Sequence, residues 1–192
     1  MNSDEVVSEI CRRSWLFGVS VLLSPEQTIQ SDGVCVGGYF DGETKTLAVA
    51  TGRDEESWLG VLLHEYCHLT QQAEDQPVWR GYRSEMWEWL QGKRVRDIAG
   101  AIRSVQAVEE DCERRTIRLA RELQAPINLE AYARAANAYI HFHNTIAETR
   151  KWYRPGVAMM EMPLLLAAAN PTLDKDFSKT PAKLRAALLT CV

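Results

Sequence analysis

The pattern of apolar and polar positions changes character near residue 52. Before that point the signals are mostly short and strand-like. Ser3 to Arg13 is the exception: Val6, Val7 and Ile10 share one face of a 3.6-residue period, which predicts a short helix capped by Ser3. Val19 to Leu23 is short, rich in β-branched and leucine residues, and stopped by Ser24-Pro25, so it predicts a strand. Val34 to Phe40 and Thr44 to Ala50 flank the turn pair Asp41-Gly42 and predict a hairpin.

Beyond residue 52 the period is helical. Asp54 is placed to cap a helix running to about Ala73, with Glu55 and Glu56 at its positive N-terminal end. Pro77 interrupts, Ser84 to Gln91 forms a Trp-rich helix, and Arg94 to Leu123 is a long helical pattern ended before Pro126. Asn128 caps a helix from Leu129 to about Lys151, closed by Pro155-Gly156, and a last helix covers Pro181 to Leu189. The expected class is α+β, with a small N-terminal β-sheet followed by a mostly helical region. There is no internal repeat, low-complexity tract or Gly/Ser linker, so residues 1–192 read as a single domain.

Composition narrows the functional classes. A chain of 192 residues with 46% hydrophobic and 25% charged residues can bury a core without staples. A net charge of -4 lacks the basic footprint of a nucleic-acid binder, and Arg12-Arg13 and Arg114-Arg115 read as solvated helix faces. The longest apolar runs, Val19 to Leu23 and Pro163 to Ala169, fall far short of the roughly 20 residues a membrane span needs. The acidic start Met1-Asn2-Ser3-Asp4-Glu5 does not resemble a secretory signal, and five irregularly spaced cysteines are no disulfide framework. The expected setting is therefore the reducing cytoplasm.

The chemistry is concentrated in His64-Glu65-Tyr66-Cys67-His68, an H-E-x-x-H sequence inside a predicted helix. Positions four apart lie one turn above each other on one face, so His64 and His68 can offer imidazole nitrogens to a single Zn²⁺. Glu65 follows the first ligand directly and reaches the same side as a general base for a water that the metal acidifies. Trp58, Leu59, Leu62, Leu63, Tyr66 and Leu69 supply the packing face of this helix, and no Gly or Pro interrupts it from Val61 to Ala73.

A third ligand must come from elsewhere, because no histidine closely follows His68. On the long helix, Ile98, Ile102, Val105, Cys112, Leu119 and Leu123 make one apolar stripe, and Glu109 falls inside it. A carboxylate there needs a partner. Two readings are open: Glu109 is the third ligand, or it pairs with a buried arginine such as Arg80 or Arg83. Glu113, one turn on, is expected as an acceptor for a ligand histidine. Glu110 and Asp111 should face away.

His64-Glu65-Tyr66-Cys67-His68, followed some forty residues later by a helix bearing Glu109-x-x-x-Glu113, resembles the gluzincin branch of the zincin metallopeptidases. The stretches Glu109 to Arg115 and Arg150 to Tyr153 are also similar to small uncharacterised phage and bacterial H-E-x-x-H proteins. The resemblance spans residues 46 to 153. It implies a zincin-like fold, Glu109 as third ligand, and an edge strand that pairs with an extended peptide, for which Thr44 to Ala50 is the candidate. The chain departs from the thermolysin-like pattern in having Val108 where an Asn precedes the ligand.

Several residues have both a structural and a functional reading. His143 falls in the buried stripe of its helix and reads as a core histidine, an alternative ligand or an oxyanion donor, whereas His141 points away from that stripe. Tyr139 and Tyr153 are weaker donor candidates. Cys67 and Cys112 read as core packing, with zinc ligation as the alternative. Trp79, Trp87 and Trp89 line a substrate groove or belong to a core. Met159, Met160 and Met162 with Leu164 to Leu166 form a partner patch or a core edge. The expected function is zinc-dependent hydrolysis of peptide or amide bonds in a peptide or protein substrate, with Glu65 as general base. The alternative is a zinc-binding regulatory or interaction protein directed at one protein partner.

Overall fold

The computed structural model describes residues 1–31, 34–154 and 161–192, and it is α+β. The chain forms two compact units, Met1–Trp79 with Cys112–Asn128, and Arg80–Asp111 with Leu129–Val192. Pro155-Gly156, Met159 and Met160 lie outside the described residues.

In the first unit, α1 spans Ser3–Leu16. Its cap is Asn2, not Ser3: the Asn2 side chain accepts from the Glu5 N–H while the Glu5 carboxylate accepts from the Asn2 N–H, closing a capping box. Strands β1 (Ser20–Ser24), β2 (Ile29–Ser31), β3 (Val34–Val36), β4 (Gly38–Asp41) and β5 (Thr46–Ala50) follow, then α2 (Glu55–Ala73). One sheet has the order β1-β5-β4, with β1 parallel and β4 antiparallel to β5, and β2 pairs with β3 separately.

The hairpin of β4 and β5 forms as expected, but the run before it is divided. Gly37 separates β3 from β4 and sends the two halves to different partners, with the Gly37 carbonyl accepting from the Ala50 N–H at 2.8 Å. β5 is also the central strand rather than an edge. The β1 parallel partner, brought back by a connection of more than twenty residues, occupies the side on which a peptide would have to add. Leu47, Val49 and Ala50 are buried, and α2 covers β5 and β4 while α1 packs on α2.

Helix α3 (Pro77–Arg80) bridges the chain boundary between the units. Helix α4 (Glu85–Leu90) belongs to the second unit, and α5 (Ile98–Glu122) runs through both, changing unit between Asp111 and Cys112. The α5 helix begins later than its pattern suggests because the Asp97 carboxylate accepts from the Gly100 N–H at 2.9 Å and supplies the cap. Helix α6 (Leu129–Thr149) ends where Arg150 takes a φ of 54°. Two short helices follow: α7 (Pro163–Ala168), which lacks a readable period at six residues, and α8 (Ala182–Leu189). Met86, Ile102, Val105, Phe142, Ile146, Leu165, Leu184 and Leu188 form the core of this unit. Leu165 is therefore core and Leu164 is exposed, so the Leu164 to Leu166 segment is divided between the two readings. Among the described residues no helix is long and apolar enough to cross a membrane.

Candidate metal centre

Helix α2 is started by the Asp54 side chain, which accepts from the Ser57 N–H at 3.0 Å, and it carries the whole H-E-x-x-H sequence without a break. The one-turn spacing stacks His64 against His68, with ring centroids 4.6 Å apart and planes perpendicular. His68 Nδ1 lies 2.8 Å from Gln71 Oε1. An amide oxygen only accepts, so Nδ1 carries the proton and the lone pair is on Nε2.

The second half of α5 meets this face of α2. Glu113 is buried, and its Oε1 lies 3.2 Å from His64 Nδ1. Cys112 is also buried; its thiol donates to the His64 carbonyl at 3.3 Å, and Sγ lies 3.6 Å from His64 Nδ1. One donor atom each from His64, His68 and Cys112 falls within 4.8 Å of the others, a group that could hold a metal ion. Zinc ligands at 2.0–2.3 Å in a tetrahedron stand roughly 3.3–3.8 Å apart, so a modest contraction would bring these three onto one ion. Two imidazoles and a thiolate suit zinc and its transition-metal neighbours, and do not suit calcium or magnesium, which take oxygen.

Cys112 is the member that sequence reasoning assigned to packing. Its position in the α5 stripe signals burial, and nothing in the local pattern announces that His64, 48 residues away, stands against it. Burial presses His64 toward its neutral form, the electrostatic and hydrogen-bond interactions with Cys112 and Glu113 press harder in the opposite direction, and the ring's pKa ends well above its ordinary value. Cys67 differs: burial pushes its thiol pKa far up, which holds it as a neutral packing group.

Glu65 is buried, with 9% of its surface exposed, and a glycine makes room for it. A Cβ at Gly38 of β4 would lie 3.2 Å from Glu65 Cγ, 2.9 Å from the Ala48 carbonyl oxygen and 2.6 Å from Val61 Cγ1. The Gly38→Ala variant is expected to lose about 1–3 kcal/mol of stability, since β5 backbone and an α2 side chain both have to shift. Urea unfolding of the two proteins measures this, and unchanged midpoints would show that β4 is not held against α2 at this point. Trp79 adds an aromatic wall, its ring 5.9 Å from His68 and 6.4 Å from Phe40.

The remaining sequence candidates lie in the second unit. Glu109 is half-buried one turn before Glu113, and its charge acts on His143. His143 is fully buried and directs Nδ1 to the Tyr139 and Ile140 carbonyls at 3.2 and 3.3 Å. Burial lowers its pKa, and the charge of Glu109 partly offsets this. His141 does not point to solvent: it is also fully buried, its Nε2 3.0 Å from Asp174 Oδ2 and its ring against Phe177. The segment around Asp174 covers a face that the helical period alone leaves open. Glu110 and Asp111 are half-buried rather than exposed. Trp87 packs on Trp152 and Trp89 lies under Arg150, so both are structural aromatics of this unit.

Comparison with family models, with curated proteins and with solved structures finds no match. The class that the fold and site define is thus an α+β protein with a His/His/Cys group able to hold a metal ion.

Proposed function

We propose that this chain is a zinc-dependent metallohydrolase of zincin-like fold that cleaves peptide or amide bonds. The observation that carries the reading is the convergence of His64, His68 and a donor from α5 on one side of a helix that also bears Glu65. His64 and His68 would hold the ion. Cys112 is the third donor that stands within reach, and Glu109 is the third donor that the family resemblance implies. A zinc ion bound there supplies a Lewis acid, acidifying water and polarising a carbonyl.

The chain's own groups account for the rest of the chemistry. Glu113 accepts from His64 Nδ1 and so orients that ring. Gln71 does the same for His68. Glu65, held in a nearly dry position under β4, takes the proton of the attacking water and delivers it to the leaving amine. Glu65 also favours catalysis over a purely structural site, where a carboxylate beside the ligands has no task.

Elemental analysis with a peptide-library digest tests the reading. About one zinc per chain is expected in the wild type, with loss of the metal in His64→Ala and His68→Ala. Cys112→Ala and Glu109→Ala, compared side by side, identify the third ligand by which of them loses zinc. A wild type that takes up no zinc on reconstitution ends the metalloenzyme proposal. Stoichiometric zinc with no hydrolysis of any library member favours the regulatory alternative, in which the same site serves one protein partner.

A further inference from the structure

Large apolar side chains are exposed unevenly. Of the eight such residues among those described, five fall between Trp15 and Leu23: Trp15 at 74%, Leu16 at 71%, and Phe17, Leu22 and Leu23 near half exposure. They border one strand, because the end of α1 is turned directly onto the start of β1, where Leu22 and Leu23 project from opposite faces. The Gly18 N–H donates to the Trp15 carbonyl at 2.9 Å and the Val19 N–H to the Ser14 carbonyl at 3.1 Å, and α1 packs against β1.

β1 is also an edge. It pairs with β5 on one side, and among the described residues no strand pairs with its other side. Which backbone groups face outward follows from the hydrogen bonds. The Ser20 N–H donates to the Lys45 carbonyl and the Ser24 carbonyl accepts from the Thr51 N–H, so the even-numbered residues of β1 face inward. The two-residue period then directs the N–H and C=O groups of Val21 and Leu23 outward. Protein edges are ordinarily protected by Lys, Pro or inward charges within the strand. From Ser14 to Pro25 there is no charged residue, and Pro25 comes only after the strand has ended.

We propose that two copies of this chain pair through this edge, β1 against β1 in antiparallel fashion about a twofold axis at Leu22. In that register Val21 and Leu23 of one copy exchange both backbone hydrogen bonds with Leu23 and Val21 of the other. Leu22 then sits opposite Leu22 as a non-hydrogen-bonded pair, the closer kind. A neutral apolar face is complementary to itself, as a twofold interface requires. With aromatic side chains offering roughly 150–250 Å² each and leucines somewhat less, the exposed fractions of these five side chains add to on the order of 500 Å² per copy. A partner strand that covers these side chains on both faces of β1 brings the total to on the order of 1,000 Å², the lower bound for a specific interface.

The twofold register makes a sharp test possible. Sedimentation velocity of the full chain across micromolar concentrations should give twice the 21.7 kDa chain mass. Leu22→Lys and Leu22→Glu each place like charges opposite one another and should weaken association at least tenfold. Mixing the two should restore the dimer, because lysine then faces glutamate. Trp15→Glu should weaken the dimer without being rescued by either. Circular dichroism of each variant confirms that the fold is kept, which the exposure of both sites favours. A wild type that stays monomeric overturns the proposal, as does a dimer indifferent to both Leu22 variants.

Discussion

Glu65→Gln is expected to bind zinc as the wild type does and to lower turnover roughly 10²–10⁴-fold, the usual contribution of a positioned general base. The substitution keeps size and shape, so the contact beneath Gly38 and the packing of α2 on β4 persist. What disappears is the basicity. An amide cannot take the proton of the attacking water or return it to the leaving group, while His64, His68 and their orienting partners Glu113 and Gln71 are untouched. The measurement pairs elemental analysis with steady-state kinetics on a substrate taken from the peptide library. A variant that retains zinc and full activity removes Glu65 from the base role. A variant that loses zinc shows that the carboxylate supports the metal rather than the proton transfer.

Phe142→Ala is expected to destabilise the second unit by about 3–5 kcal/mol. Phe142 has no exposed surface, lies near the middle of α6, and meets Trp152 edge to face at a centroid distance of 5.4 Å. The neighbouring Tyr153 ring stands 5.9 Å away. Truncation removes the transfer energy of the ring and leaves a cavity among aromatics whose own positions depend on it. Against a total stability of about 5–15 kcal/mol, such a loss is a large fraction of the whole. Urea unfolding followed by tryptophan emission should show the midpoint fall. A shift worth less than about 1 kcal/mol would mean that the cluster repacks around the gap, contrary to the close packing seen here.

Much of the architecture is written locally. The five longest helical patterns are legible because a helix is made of contacts three and four residues apart, so an apolar stripe identifies it without reference to the rest of the chain. The His64, Glu65 and His68 arrangement is legible for the same reason: an i, i+4 pair on an uninterrupted helix with an Asp54 cap needs no tertiary information. The polar interruption at Asp41 to Lys45 marks a hairpin because its two strands are adjacent in sequence.

What escaped the sequence is set by contacts between distant residues. Gly37 reads as the interior of one strand, and only the competing partners β2 and β5 show that it divides two. The central position of β5 is imposed by β1, a parallel partner whose pairing leaves no local pattern. His141 is turned from a surface residue into a buried one by Asp174, 33 positions on. The site divides along the same line. Two histidines and a carboxylate on α2 are determined by the sequence alone, through the fixed geometry of one helical turn. That Cys112 and Glu113 stand beside His64 was decided only by the packing of α5 against α2, since a period describes which face of a helix is buried and not what it is buried against.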